Sequence, residues 1–397
     1  MYLTKIEERM LDGEYGEAKA TALKLIIALG EVFNAKRLIS IENAQIAGIS
    51  YKTIGDSGLE FIEDLYNKNA KFAVSATLNP AGIDLEKWRE IGIPEGFAKK
   101  QLKIISFLEG MGAEKTCTCT PYLIGVKPSF GAHLAWAESS AAIFVNSIFG
   151  AKTNREGGPS ALASAITGRT AMYGMHLKNE REPTHIVNVE ALINTELEFS
   201  LLGYAIGEKI PKGVPFIAKF KGKLNIDNLK ALGAGMATSS SIALFHLDGI
   251  TPEAKAISKK NLKNLEKIVI TKEDIKKAEE KLSVKDESTH ILLGCPHLSF
   301  NELKKIASFI KSRRLNKKLW CFTARKIYDF AQKKGIVKKI EDTGGKVIRD
   351  TCMVVSPLEF IGVSKAQVNS SKAAYYLNSL SNIKVELKSL EEIRKVW

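Results

Sequence analysis

The sequence lacks a long apolar segment, since no run approaches the ~20 uninterrupted apolar residues that a membrane-spanning helix requires. Its first residues, MYLTKIEERMLDGEYGEA, are charged and are not followed by an apolar signal region. The chain also lacks a zinc-finger spacing, an RNA-binding aromatic signature and a basic tail. These absences predict a cytoplasmic protein without a membrane partner, and they argue against nucleic acid as its ligand.

Cysteine is scarce, with five residues in a chain of 397. Because structural disulfides are rare in the cytosol, each cysteine is expected to be core filler, a nucleophile or a metal ligand. Cys321 stands between two aromatic residues in a predicted strand, which favours a core position. Of the others, Cys117 and Cys119 can share one face of a predicted strand, while Cys295 and Cys352 stand at the ends of two more strands.

The charge of the chain is strongly positive, with 58 Lys and Arg against 44 Asp and Glu, a formal charge of +14. Much of this excess lies in Lys255 to Lys285, where lysines alternate with apolar and acidic residues at helical spacing. That pattern is typical of helix faces exposed to water. An acidic partner surface and the attraction of an anionic substrate are the alternative interpretations.

Helical patterns and short apolar strand patterns alternate along the chain, which predicts an α/β protein of several units with mainly parallel sheets. The predicted helices include 16–34, 56–69 and 96–111, and the predicted strands include 37–42, 72–77 and 289–294. We divide the chain into an N-terminal α/β region at 1–254 with room for two subdomains, a lysine-rich helical connector at 255–287, and a C-terminal α/β domain at 288–397.

Four of the cysteines stand where ligands bind in such folds. Ligands of open parallel sheets occupy the crevice outside the carboxyl ends of the strands, and strand ends can bring together cysteines that are far apart in the sequence. An iron-sulfur site, a zinc site and a nucleophilic thiol beside His297 all fit this pattern. The sequence contains no C-x-x-C run that would choose among them.

Several long and unusual motifs resemble one known family. They are ISYKTIGDSGLEF, SATLNPAG, the segment Ala135 to Thr170, LLGCPHLS and RDTCMVVSP. Together they are similar to the large subunit of the aconitase X family over about residues 38–372. The resemblance implies an aconitase-like α/β fold around a central cluster-binding crevice, a [4Fe-4S] cluster held by three cysteines, and dehydratase chemistry.

Two activities are familiar in that family: dehydration of cis-3-hydroxy-L-proline in bacterial members, and of (R)-5-phosphomevalonate to trans-anhydromevalonate 5-phosphate in archaeal members. This sequence shows only the large-domain pattern, so the resemblance implies that the swivelling domain is a separate small subunit, in a heterodimer or heterotetramer. A serine of that subunit is then the expected base. We favour the phosphorylated substrate. Hydroxyproline or another small hydroxy acid is the alternative, and a non-enzymatic RNA-binding relative is the third interpretation.

The implied cluster needs three of the four candidate cysteines. Cys295 and Cys352 each terminate a predicted strand in the C-terminal domain. Cys119 is chosen over Cys117 because it lies nearer to the predicted strand exit at Pro121, and therefore deeper in the crevice.

Two turns at strand ends are candidates for substrate binding. Gly48, Ile49 and Ser50 follow a predicted strand, where the backbone N–H groups of a glycine loop can bind an anion, and an ordinary turn is the alternative. Asn79 and Pro80 end another strand at the same crevice. The Asn79 amide offers both a donor and an acceptor to substrate oxygens.

Glu138 and Ser139 stand in an otherwise apolar helical run, AWAESSAAIF. A buried carboxylate is costly without a partner, which favours substrate binding over a plain core position. Lys372 follows two serines at the start of the last predicted helix, and this arrangement could bind a phosphate. An ordinary helix cap with a solvated lysine is the alternative.

Three further side chains carry open interpretations. The segment TNREGGPSALASAITGRT contains Arg155 and Arg169, planar cations suited to carboxylates and phosphates. Arg155 is a candidate for substrate binding, whereas Arg169 is expected to make a structural pair with Glu156 or with an acidic group of the partner subunit. His297 could orient the cluster or the substrate, or it could be a buried histidine with its hydrogen bonds satisfied.

Overall fold

Parallel strands form the centre of three α/β units that follow one another along the chain, which confirms the predicted fold class. The structure, a computed structural model, describes residues 1–284, 287–310 and 316–396. Within these ranges, no helix has the length and apolar character needed to cross a membrane. Of the four sheets that these residues form, three are entirely parallel, and the remaining one is a two-stranded antiparallel pair.

The first unit contains a three-stranded parallel sheet in the order β3-β2-β4 and the antiparallel pair of β1 with β5. Its elements are α1 (Lys5–Leu11), α2 (Glu17–Val32), β1 (Leu38–Ser40), β2 (Asn43–Ile46), α3 (Tyr51–Asn67), β3 (Ser75–Leu78), α4 (Glu95–Met111), β4 (Ala135–Trp136), α5 (Ser139–Phe144), α6 (Gly158–Thr167) and β5 (Arg169–Ala171). The carboxyl ends of β2, β3 and β4 therefore lie at one edge of the parallel sheet.

Adjacent glycines let α6 begin against the loop that follows β2. A Cβ atom on Gly158 would lie 2.6 Å from the carbonyl oxygen of Ala47, far inside van der Waals contact, so the position requires glycine. Just before the glycines, Glu156 is buried and accepts a hydrogen bond from Ser160 Oγ at 2.6 Å. The Gly-Gly pair of the TNREGGP segment thus permits close packing within the first unit.

The second unit contains four parallel strands in the order β8-β7-β6-β9. Its elements are β6 (His185–Ile193), α7 (Glu196–Lys209), β7 (Pro215–Gly222), α8 (Ile226–Ser239), β8 (His246–Leu247), α9 (Lys259–Leu262), β9 (Glu266–Ile270) and α10 (Lys272–Leu282). Helices α7 and α8 approach closely, since a Cβ atom on Gly203 would lie 2.1 Å from the carbonyl oxygen of Leu232.

The third unit contains a five-stranded parallel sheet in the order β12-β11-β10-β13-β14. Its elements are β10 (His290–Leu298), α11 (Phe300–Phe309), β11 (Lys318–Thr323), α12 (Arg325–Lys333), α13 (Ile336–Glu341), β12 (Lys346–Arg349), β13 (Lys365–Val368), α14 (Ser371–Ser381), β14 (Lys384–Leu387) and α15 (Leu390–Ile393). Every residue of the central strand β10 is buried. This strand continues past its predicted end at residue 294, so Cys295 lies within it.

The segment predicted as a helical connector, 255–287, contains a strand as well as helices. Strand β9 pairs in parallel with β6 and so completes the sheet of the second unit. Its sequence, EKIVI, contains β-branched residues that favour a strand, but the lysine periodicity around it resembles a helix. The lysines of α10 do lie on an exposed face, as predicted. Residues 285 and 286 lie outside the described residues.

The strand predicted through TCTCT is wrong. Residues 115–120 come after α4 and run beside β3 without forming a regular strand. Thr118 N donates to Leu78 O at 2.8 Å, and Leu78 N donates to the Thr116 hydroxyl at 2.9 Å. Cys117 has a φ of 41°, in the left-handed region, which breaks the alternation of side chains that a strand would give. Cys117 and Cys119 therefore do not share a face.

Candidate functional site

A cavity of about 290 Å³ is lined by residues of the first and third units. Nine of the described residues that line it were singled out from the sequence: Asn79, Pro80, Cys119, Glu138, Ser139, Arg155, Cys295, Cys352 and Lys372. Several of them follow the carboxyl ends of parallel strands: Asn79 follows β3, Glu138 follows β4, and Cys352 follows β12. The fold thus brings strand ends of two separate sheets to one cavity.

Three cysteines line this cavity together, although they come from separate segments of the chain: Cys119, Cys295 and Cys352. All three are buried, and burial raises the pKa of each thiol, that of Cys119 to about 12. Cys117 instead lies in the core of the first unit. Cys321 lies in the core of the third unit, which confirms its predicted place in the core.

A buried polar cluster around Glu138 forms part of the cavity wall. Lys372 Nζ is ion-paired with Glu138 Oε1 and donates to Ser140 Oγ at 3.0 Å. Asn79 Nδ2 donates to Glu138 Oε2 at 2.9 Å. Burial alone would raise the pKa of Glu138, but the Lys372 ammonium and the hydrogen bonds outweigh burial and lower this pKa to about 2. Glu138 is therefore a carboxylate at neutral pH, balanced by the charge of Lys372.

The Asn79 side chain presents an acceptor that has no protein partner. Because the Glu138 carboxylate only accepts hydrogen bonds, the NH₂ group of Asn79 must face it, and this fixes the orientation of the amide. The other amide atom, Oδ1, is buried and has no hydrogen-bond partner within the described ranges. Since an unpaired buried carbonyl is costly, Oδ1 is suited to accept a hydrogen bond from a hydroxyl group in the cavity.

Arg155 is a cation without an acidic partner among the residues that the structure describes. Its guanidinium donates to the carbonyl oxygens of Ser240 at 2.6 Å and Ala237 at 2.9 Å, at the C-terminal end of α8. Burial lowers the pKa of Arg155, but a guanidinium stays charged in proteins. These bonds use only part of its donors, so the remaining N–H groups can bind an anion at the cavity.

The turn Gly48–Ile49–Ser50 lies next to the cavity and is not among the described residues that line it. Ser50 Oγ donates to the carbonyl oxygen of Val355, which does line the cavity, at 2.8 Å. Gly48 has a φ of 66°, and Ile49 is buried. The turn therefore supports the loop that carries Val355, and its own backbone does not form the wall.

Arg169 lies away from the cavity lining and pairs with the first helix of the chain. Its Nε lies 3.0 Å from Glu7 Oε1, and Glu7 is buried. This pair joins β5 to α1. Arg169 thus makes a structural ion pair, as expected, but its acidic partner is Glu7 and not Glu156, which was the predicted partner within this chain.

His297 is fully buried between the segments that carry the three cysteines. Its ring atom Nε2 lies 2.9 Å from the carbonyl oxygen of Thr351, and Nδ1 lies 3.0 Å from the hydroxyl of Thr118. Its backbone N–H donates to Cys119 Sγ at 3.2 Å. Burial lowers the pKa of the imidazole to about 4, so the ring is neutral at pH 7. Both ring nitrogens have protein partners.

Sequence reasoning missed two polar residues of the site and, apart from Pro80, its apolar lining. Tyr376 lines the cavity four positions after Lys372 on α14, and this spacing on one helix face could have identified it. Ser140 could have been found beside Glu138 and Ser139 in the same motif. The apolar lining carries no signal that distinguishes it from core residues: Ala137, Val354, Val355 and Leu380.

Family models match nearly the whole chain. The model described as the aconitase X first domain matches residues 1–179, the second domain matches residues 183–280, and the third domain matches residues 288–396. These limits follow the three α/β units of the structure.

Curated relatives match the chain from end to end. The phosphomevalonate dehydratase large subunit of Methanocaldococcus jannaschii is 49% identical over 100% of both chains. The protein of the same name from Thermococcus kodakarensis is 43% identical over 100% of this chain and 99% of the relative. The cis-3-hydroxy-L-proline dehydratase of Pseudomonas aeruginosa is 31% identical, and the match covers 98% of this chain and 68% of that relative.

A solved structure has the same fold. The crystal structure of Thermococcus kodakaraensis aconitase X in its holo-form is similar with a TM-score of 0.91 and 41% identity, over 100% of this chain and 99% of that one. The three family models and the full-length relatives agree with this likeness. The chain therefore belongs to the aconitase X family.

Proposed function

We propose that this chain is the large subunit of an iron-sulfur dehydratase that converts (R)-5-phosphomevalonate into trans-anhydromevalonate 5-phosphate, a step of isoprenoid biosynthesis by the mevalonate pathway. The observation that carries the proposal is a single cavity lined by three cysteines and by an arginine without an acidic partner in the described chain. The relatives named above are dehydratases, so the chain is assigned to the hydro-lyases, and the two archaeal relatives support the phosphorylated substrate.

The residues present fit a [4Fe-4S] cluster held by Cys119, Cys295 and Cys352. Cysteine thiolates are the soft ligands that such clusters take. Within the described ranges, no three His, Cys, Asp or Glu side chains are arranged to hold a single metal ion. The ligands of a cluster bind different iron atoms, so they can lie farther apart than the ligands of one ion. This favours a cluster over the zinc site that the sequence left open. With three protein ligands one iron stays available, and the bound cluster supplies a Lewis acid for departure of the substrate hydroxyl.

Polar side chains of the cavity are placed to bind the carboxylate, phosphate and hydroxyl groups of the substrate. Arg155 binds a carboxylate or phosphate through its unused donors. Asn79 Oδ1 accepts a hydrogen bond from a substrate hydroxyl. Lys372 has three N–H donors, of which Glu138 and Ser140 take two, so one is left for an anionic group.

Two further sets of residues contribute to the shape of the site. Pro80 and Ser139 complete its lining beside Asn79 and Glu138. The turn Gly48–Ile49–Ser50 holds the loop of Val355 in place from behind. These positions shape the site without supplying a charge to the substrate.

The proton-abstracting base is proposed to be a serine of a small subunit. The name "large subunit" of the archaeal relatives implies such a partner for them. Among the described residues that line the cavity, Glu138 is the one carboxylate. Its pKa of about 2 and its ion pair with Lys372 make it a weak base. A stronger base must therefore come from outside this lining.

Dehydration of cis-3-hydroxy-L-proline is the second candidate activity, favoured by the match to the bacterial relative. The ring ammonium of that substrate needs an acceptor, preferably a charged one. In the described lining, however, the single carboxylate is already paired with Lys372. The cavity therefore suits an anion-rich substrate better. No feature of the described residues favours the third interpretation, an RNA-binding protein.

The experiment that tests the proposal is co-expression of this chain with its small subunit, followed by purification without oxygen. We expect a brown complex that dehydrates (R)-5-phosphomevalonate and turns over cis-3-hydroxy-L-proline far more slowly. Turnover of hydroxyproline alone would contradict the proposed substrate, and an active complex free of iron would contradict the cluster. The isolated chain is the control, because it should bind iron and sulfide yet show almost no turnover.

A further inference from the structure

One buried histidine joins the three chain segments that carry the cavity cysteines. Cys119 lies in the loop after α4, Cys295 lies on β10, and Cys352 follows β12. His297 belongs to β10, two residues after Cys295, and its side chain contacts both of the other segments. Segments that are distant in the sequence therefore meet at this ring.

The imidazole makes one hydrogen bond to each of those segments. Nε2 lies 2.9 Å from the carbonyl oxygen of Thr351, and since a carbonyl only accepts, Nε2 carries the proton. Nδ1 is then the acceptor, and the hydroxyl of Thr118 donates to it at 3.0 Å. Thr351 directly precedes Cys352, and Thr118 directly precedes Cys119. Each bond thus holds the residue directly before a cavity thiol, Thr351 through its backbone and Thr118 through its side chain.

The main chain of His297 makes two further contacts at the same junction. Its N–H donates to the sulfur of Cys119 at 3.2 Å, which directs that thiol. Its carbonyl oxygen accepts from Lys230 Nζ at 3.1 Å. Lys230 belongs to α8 and is ion-paired with Glu302 on α11, so the second unit also holds this part of β10 in place.

Packing alone does not explain a histidine at this position. The ring is fully buried, and a buried polar ring costs free energy unless both nitrogens are satisfied. An apolar side chain of similar size would fill the same space without that cost. What the imidazole adds is a donor and an acceptor that point to two different cysteine-bearing segments.

We propose that His297 is a positioning residue of the cluster site, which aligns the Cys119 and Cys352 segments with Cys295 so that the three thiols face one cavity. This inference rests on the proposed cluster ligands. The hydrogen bonds that orient metal ligands typically change metal affinity by about 10- to 100-fold. Loss of the imidazole is therefore expected to weaken retention of iron by a factor in that range.

The test compares four variants of the full chain: His297→Ala, His297→Gln, Thr118→Val and the control His290→Ala. Gln keeps a donor near the position of Nε2, and Val keeps the size of Thr118 but removes the hydroxyl that Nδ1 accepts from. That hydroxyl also accepts from Thr120 N at 3.1 Å, so Thr118→Val is read together with the two His297 variants. His290 is a matched control because it is also buried and lies at the other end of β10, where its ring contacts Thr289. For each protein we would measure iron and sulfide content after anaerobic reconstitution, the rate of iron loss to a chelator, and the melting temperature.

We expect His297→Ala to lose iron about 10- to 100-fold faster than wild type, with smaller increases for His297→Gln and Thr118→Val and none for His290→Ala. Unchanged rates in the folded His297→Ala variant would overturn the inference. If His297→Ala does not fold, the inference is tested with Thr118→Val. A several-fold faster loss of iron from that variant supports the inference, and an unchanged rate of iron loss overturns it.

A second measurement separates this inference from the proposed function. Wild-type chain that binds neither iron nor sulfide would overturn the cluster proposal. Arsenite binding to the metal-free chain then tests the positioning directly, because arsenite bonds to three converging thiols. His297→Ala, or Thr118→Val in its place, should weaken arsenite binding about 10-fold, and equal affinity in wild type and variant would overturn the inference.

Discussion

The ammonium of Lys372 pairs with the carboxylate of Glu138 across 234 positions of sequence, and this pair joins the start of α14 to the start of α5. Lys372 is buried and the Glu138 side chain is only 14% exposed, so each charge depends largely on the other for its compensation. A buried ion pair that loses one member typically costs about 3–5 kcal/mol, whereas replacing both members costs far less.

The single variants Lys372→Met and Glu138→Gln should each destabilise the metal-free chain by about 3 kcal/mol or more, because each leaves a buried group without its partner. The double variant should be closer to wild type than the sum of the two. Urea unfolding measures both effects. Lys338→Met, at an exposed pair with Asp342, is the control and should change the free energy of unfolding little. Additive losses would contradict the pairing.

The same pair predicts a dependence of stability on pH. The pKa of Glu138 is about 2 in the folded chain, below the value of about 4.3 of an unperturbed glutamate. The ionised form is therefore favoured by folding, and its contribution is fully present above about pH 5 and is lost as the pH falls towards 2. Unfolding of the metal-free chain should show a smaller loss of stability between these pH values in the double variant than in wild type. Equal losses in both proteins would argue against this.

Arg155→Met should raise the KM for (R)-5-phosphomevalonate by about 10-fold or more, because a charge-assisted hydrogen bond to the substrate contributes about 1.5–3 kcal/mol. Iron and sulfide content should be unchanged, since Arg155 contacts the end of α8 and not the cysteine segments. Steady-state kinetics of the two-subunit complex and iron analysis measure the two effects. Arg169→Met is the control, as this arginine pairs with Glu7. An unchanged KM would remove Arg155 from the substrate site.

Serine in place of Cys119, Cys295 or Cys352 should abolish the bound cluster and the activity together, because a neutral hydroxyl is a poor substitute for a soft thiolate. Serine in place of Cys117 or Cys321 should leave both nearly intact, as these two lie in separate cores. Iron and sulfide analysis with visible absorption distinguishes the variants. Retention of the cluster without Cys119 but not without Cys117 would reverse the assignment of that pair.

Gly158→Ala should destabilise the chain by about 1–3 kcal/mol, since its Cβ atom would meet the Ala47 carbonyl oxygen at 2.6 Å and force α6 to move. Gly157→Ala is the neighbouring control. A Cβ atom there would lie 3.7 Å from Ser160 Oγ, an ordinary contact. Thermal unfolding of both variants measures the difference, and equal melting temperatures would contradict the steric argument.

The sequence was sufficient to predict most of the cavity because the residues that form it follow parallel strands. Strand patterns are local, and the carboxyl ends of parallel strands meet at one edge, so Asn79 and Cys352 could be placed near each other from the sequence alone. Glu138 was instead selected as a carboxylate in an apolar helical run, and the strand β4 that precedes it was not predicted. Cys119 was selected by its nearness to Pro121, although the strand assumed for it is absent. The left-handed backbone at Cys117 has no local signal, because non-glycine residues seldom adopt that conformation.

Contacts between distant parts of the chain could not be predicted in this way. The pairing of Lys372 with Glu138, and of Arg169 with Glu7, depends on how whole units pack against each other. One sequence without its relatives contains no record of such pairs. The same holds for the two ring contacts of His297, which join segments from the first and third units.

The distribution of the cavity cysteines along the chain has a consequence for biosynthesis. Cys119 belongs to the first unit, which can fold while the ribosome is still translating, whereas Cys295 and Cys352 belong to the last unit. A cofactor held by all three thiols can be inserted only after translation has ended and the last unit has docked. Products that end before the last unit would therefore lack two of the three proposed ligands, whatever the state of the first unit.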